Sequence, residues 1–134
     1  MRNLSIITSV AIASIAAATL VGCTATDSRA TSCAAYVQYQ TLAEAAKEAD
    51  LVARASVTHE KNPLEIKLIE VAKGSLTAGE SLTVSAPSNC DPVSLPTGSN
   101  DLVVILVKHG TEWAPINTDQ GLTNFNRSQF DSLR

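Results

Sequence analysis

Leu102-Val103-Val104-Ile105-Leu106-Val107 is an unbroken apolar run with no polar face. Such a run reads as a strand buried on both sides. It is expected at the centre of the fold, with a layer against each of its faces. Lys108-His109-Gly110-Thr111 closes it as a turn. Glu112 to Ile116 then reads as a further strand carrying Trp113, and Pro115 suggests an edge, because proline gives no donor to a ladder.

Four more elements precede that run. Thr41-Leu42-Ala43-Glu44 is a capping box, in which the threonine and the glutamate satisfy backbone N–H groups of the first turn. It opens a helix to about Asp50, with Leu42, Ala45, Ala46 and Ala49 on the buried stripe. The period then changes to two. Leu51 to Thr58 is the first strand, and His59 to Pro63 a turn. Leu64 to Ala72 is the second strand, its alternation slipping where Leu68 and Ile69 stand side by side, which predicts a bulge. Ser81 to Ala86 is the third, with Leu82 and Val84 inward. Pro87 to Asn100 is a long connection, and the tail from Asn117 is polar, with Leu122, Phe125 and Phe130 as anchors. One helix followed by five short strands predicts a mainly β fold: a small antiparallel five-stranded barrel with one N-terminal packing helix.

The chain begins differently. Met1-Arg2-Asn3 leads an alanine-rich apolar stretch from Leu4 to Leu20, ending in Leu20-Val21-Gly22-Cys23. This is the layout of a secretory signal, and its end resembles the lipobox of bacterial lipoproteins. The resemblance implies diacylglyceryl attachment to Cys23 and cleavage before it, hence export and a lipid anchor in the cell membrane or envelope. An ordinary secretory signal and an uncleaved anchor are the alternatives. Against the latter, the stretch is short of the ~20 residues of a spanning helix, and no basic run follows it. The expected organisation is a signal peptide over 1–22, lipidated Cys23 with a tether to residue 32, and one domain over 33–134. Nine tether residues hold that domain within about 15–18 Å of the membrane surface.

Removing the first 22 of 134 residues leaves 112, with 9 basic and 13 acidic side chains and a formal charge of −4. Such a chain is not drawn to nucleic acid or to anionic headgroups. Of three cysteines, assigning Cys23 to lipid leaves Cys33 and Cys90. An even remainder in an exported protein reads as a disulfide, worth on the order of 4 kcal/mol for a loop of this length.

A second resemblance joins Ala49-Asp50-Leu51-Val52, Val71-Ala72-Lys73-Gly74, Leu82-Thr83-Val84, Cys90, Gly98, Trp113 and Gln120-Gly121. Their order resembles that in OB-fold domains of the tissue inhibitor of metalloproteinases and netrin-like type, over about residues 33 to 122. It implies an OB-like barrel. It does not carry inhibition to any residue, because that family uses a free N-terminal cysteine on zinc, whereas Cys23 is expected to be lipidated and Cys33 is internal.

No residue constellation amounts to a catalytic site. There is no GxSxG, Ser-x-x-Lys, HExxH, CxxC or phosphate loop. The reading is therefore non-enzymatic: a lipid-anchored envelope module that binds a protein partner, with the membrane engaged through Cys23 and no nucleic acid, cofactor or metal expected. His59 and His109 fall in turns that border the ligand-binding face of an OB barrel, with Trp113 nearby. An alternative is a small hydrolase or metal-binding protein using both histidines. A third is a protease inhibitor by fold analogy alone.

Overall fold

A computed structural model describes residues 36–87, 90 and 92–134. The signal segment, Cys23, the tether and Cys33 lie outside the described residues. The chain enters as helix α1 (Leu42–Glu48) and continues through strands β1 (Leu51–His59), β2 (Leu64–Lys73), β3 (Ser81–Val84), β4 (Asp101–His109), β5 (Glu112–Pro115) and β6 (Leu122–Asn124) to a short helix α2 (Arg127–Asp131). Among the described residues no helix is long and apolar enough to cross a membrane.

The strands run in the order β1-β2-β3-β5-β4, and β4 also pairs with β1, so the sheet closes into a five-stranded OB-like barrel. Four of the five pairings are antiparallel. The closing seam, β3 with β5, is parallel and one residue pair long, Val84 opposite Trp113. Pro115 therefore does not mark an edge: β5 lies inside the barrel order. The seam ends with the Ser85 N–H donating to the Trp113 carbonyl. Alternation then turns position 115 toward β3 just past that last bond, where a missing N–H removes nothing from the ladder.

β4 has the two covered faces its composition demands. Leu102, Val104 and Leu106 point into the barrel with Leu51, Ile66 and Leu68. Val103 and Ile105 point outward, under Ala45, Ala46 and Ala49 of α1 and Phe130 and Leu133 of the C-terminal segment. Full burial of each such aliphatic side chain contributes about 1.5–3 kcal/mol. The bulge also forms. Ala55 faces Leu68 and Arg54 faces Glu70, so Ile69 has no partner on β1 and is left 41 % exposed, while Leu68 keeps its inward place.

The short motifs within the barrel sequence join the helix to it. Asp50 uses its N–H on the Leu106 carbonyl, and its Oδ2 accepts from the Lys108 N–H at 2.7 Å. Lys73 donates through Nζ to the carbonyls of Ala46 (3.1 Å) and Lys47 (2.6 Å), placing a cation at the negative end of α1. Gly74, at φ +122°, passes so close to this junction that a Cβ would stand 2.9 Å from the Asp50 carbonyl oxygen. The capping box forms with one difference: Glu44 N–H donates to Thr41 Oγ1, but the Glu44 carboxylate accepts from Gln40 N–H, one residue before the cap.

The tail is structured. β6 adds to β4 through Leu122 opposite Val104, and α2 follows with Asn126 as its N-cap. A stack of guanidinium groups and rings holds it down. Arg54 lies 4.1 Å from the Phe125 ring and makes a two-pronged bond to Asp101, at 2.9 and 2.7 Å. That hydrogen bond holds the Arg54 pKa above its ordinary value. Arg127 lies over Phe125, Arg134 over Phe130, and both pair with Glu70.

A candidate binding cleft beside the amino-terminal segment

The outer face of the β4–β5 hairpin carries Val107 and His109 on one strand and Glu112 and Ala114 on the other, with Ile116 just beyond. Ser85, Ala86 and Pro87 continue β3 along one side. Tyr36, Val37 and Tyr39 cross the top. Between them lies a mainly apolar cleft of ≈ 390 Å³, open to solvent. That size and lining fit a small ligand site.

The cleft has a fixed roof because of one turn. Asn117, fully buried, and Gln120 sit between β5 and β6. The Asn117 side-chain oxygen accepts from the N–H groups of Asp119 (3.1 Å) and Gln120 (2.6 Å), which sets the turn. Its Nδ2 donates to the Val37 carbonyl (3.0 Å) and to Gln120 Oε1 (2.7 Å). The Gln120 amide then accepts from Tyr39 N–H (3.1 Å) and donates to the Tyr39 carbonyl (3.0 Å), as a neighbouring strand would. Gly121 completes the turn by close approach: a Cβ there would strike Pro115 Cβ and come 2.7 Å from the Asn117 carbonyl oxygen.

The polar groups of the cleft remain available. Glu112 and His109 are exposed, and neither side chain has a hydrogen bond or ion pair among the described residues. Partial burial pushes the Tyr36 phenol above its ordinary pKa.

The residues singled out in the sequence separate here. His109 lines the cleft; His59 does not. β1 and β4 are antiparallel, with Leu51 opposite Leu106 and Ser56 opposite Asp101. His59 and His109 therefore extend past opposite ends of the shared ladder, on the order of 30 Å of strand apart. The two turns flank an OB face from its two ends rather than meeting. Among the described residues no group of three or more His, Cys, Asp or Glu is placed to hold a metal. Trp113 points the other way from the cleft. It packs against the barrel core, with Lys108 Nζ 5.5 Å from its ring. The outer face of β2–β3 presents Glu65 and Lys67 beside Thr83 and Ser81, opposite charges interleaved with hydroxyls. Cys90 is half-buried and disulfide-bonded; Cys33, its expected partner, lies outside the described residues. Tyr36 and Tyr39 precede the helix in sequence, and only the turn at Asn117–Gln120 brings their segment to a site. Compared with known protein families, curated proteins and solved structures, the chain matches none.

Proposed function

We infer that the chain is a lipid-anchored binding module of the cell envelope. In this reading residues 1–22 direct export, Cys23 carries the lipid, residues 24–32 form the tether, and Cys33 pairs with Cys90. The resemblance to the tissue inhibitor of metalloproteinases and netrin-like domains enters at the level of fold alone. The observation that carries the binding role is the cleft: apolar walls, unpartnered polar groups, and a roof fixed by partly buried hydrogen bonds. A preorganised roof lowers the ordering cost of association. The roof segment is also the segment that leads back to the tether, so a ligand held there sits at the membrane-proximal root of the domain. The reading assigns no catalytic residue and no cofactor. The separation of His59 from His109 leaves the two-histidine hydrolase or metalloprotein without a site.

Two measurements test it. Metabolic labelling with a palmitate analogue should mark the wild-type chain and leave Cys23→Ala unlabelled and released from the membrane fraction; a Cys23→Ala protein that stays membrane-bound refutes the anchor. Crosslinking from a photoreactive residue at position 36 in whole cells should give a discrete adduct, and its absence there and at position 114 refutes the cleft as the binding surface.

A further inference from the structure

The cleft's chemistry is specific enough to name what it takes. Its floor is aliphatic, from Val107, Ala114 and Ile116, and tyrosines line its roof. Glu112 is the one carboxylate among the described lining residues, and no lysine or arginine is among them. An anion would meet Glu112, with only the His109 imidazole across the hairpin to offset it. A neutral apolar ligand would leave the carboxylate unanswered. A long side chain ending in an ammonium satisfies each part: its methylene stem lies along apolar surface while its head reaches the carboxylate and aromatic rings. The charge of the mature chain, −4, favours approach of the same class. The volume, near the lower end for ligand sites, suits one such side chain.

We propose that the cleft receives a lysine side chain of a partner protein, its ammonium held by Glu112 and the tyrosine-lined roof. This rests on the binding-module reading, and names its ligand.

The test titrates three probes into the purified full chain: Nα-acetyl-lysine methylamide, its Nε-acetylated form, and the norleucine analogue. Binding is followed by the backbone amide signals of the barrel. With the lysine probe, signals of Ser85, Val107, Glu112 and Ala114 should shift together. The two uncharged probes should bind at least about fivefold more weakly, the scale of an exposed ion pair with a cation–π contact. Glu112→Gln should weaken the lysine probe about three- to fivefold and leave the norleucine probe unchanged. Glu112 is exposed and outside the core, so the variant's remaining spectrum reports an intact fold. Equal binding of the three probes, shifts confined elsewhere, or no shifts overturn the lysine assignment. The binding-module reading is judged separately, by the position 36 and 114 crosslinks in cells: an adduct there with failure of the probes sinks the ligand class alone, and loss of both sinks both.

Discussion

Asn117→Ala is the sharpest test of how this domain is held together. The residue is fully buried, and its amide takes part in four hydrogen bonds that tie β5, the following turn and the Val37–Tyr39 segment. Alanine removes all four at once. The Val37 carbonyl belongs to an exposed residue and can recover a bond to water. The half-buried Gln120 N–H is less able to, and an orphaned buried donor costs about 1–3 kcal/mol. Adding one ordinary net bond at about 1 kcal/mol gives a loss of about 2–4 kcal/mol. That is a large part of the ~5–15 kcal/mol that holds a domain of this kind folded. It corresponds to a fall in Tm of about 8–16 °C. The assay is urea unfolding followed by Trp113 fluorescence, with amide exchange as the local readout. The Tyr39 N–H, bonded to Gln120 Oε1, should lose protection more than amides of β4. Gln120→Ala should cost less, about 1–2 kcal/mol, and the double variant should fall short of the sum because the two amides share a bond. A loss under about 1 kcal/mol for Asn117→Ala, with Tyr39 protection unchanged, would refute the idea that this turn fixes the roof.

Gly121→Ala should destabilise by about 1–3 kcal/mol or more, read in the same unfolding assay, because its Cβ meets Pro115 and backbone rather than a flexible side chain. Phe130→Ala empties a fully buried site under β4 and should cost about 3–5 kcal/mol, with exchange accelerating first over 125–134. Tyr36 sets a pH dependence: its phenol is raised in the folded state, so the folded protein retains a proton that the unfolded chain gives up above about pH 10. The associated stability is complete below that pH and is lost as pH rises through the folded value; Tyr36→Phe should flatten this slope and remove the late step in the phenolate absorbance titration.

Much of the barrel is legible along the chain because its rules are local. The six-residue apolar run at 102–107 reports two covered faces, and the adjacency of Leu68 and Ile69 reports a bulge, since a period of two cannot seat both inside. Thr41 and Glu44 mark the start of α1 for a similar reason. β6 and α2 escape notice: three residues of strand and five of helix carry too little pattern, and their stability comes from β4 and from the Arg–Phe stack. The cleft is invisible locally because its walls come from residues 36–39, 85–87 and 107–116. The histidine pairing fails on direction. Both residues end strands, but the strands are antiparallel neighbours, so their ends point apart. Strand order alone, once drawn, would have separated them.

The Gln120 bridge to Tyr39 also determines how the domain carries load. The segment before α1 joins the body through side-chain amides on one turn, not through a strand ladder. With Cys33 paired to Cys90 as proposed, tension along the proposed tether would pass through the disulfide into the connection before β4 and bypass these bonds, so the roof of the cleft would stay seated. With that pair reduced, the three bonds would stand first in line, ahead of the β1–β4 ladder, and the roof would peel while the barrel stays closed: the linkage would act as a mechanical fuse only in the reduced protein.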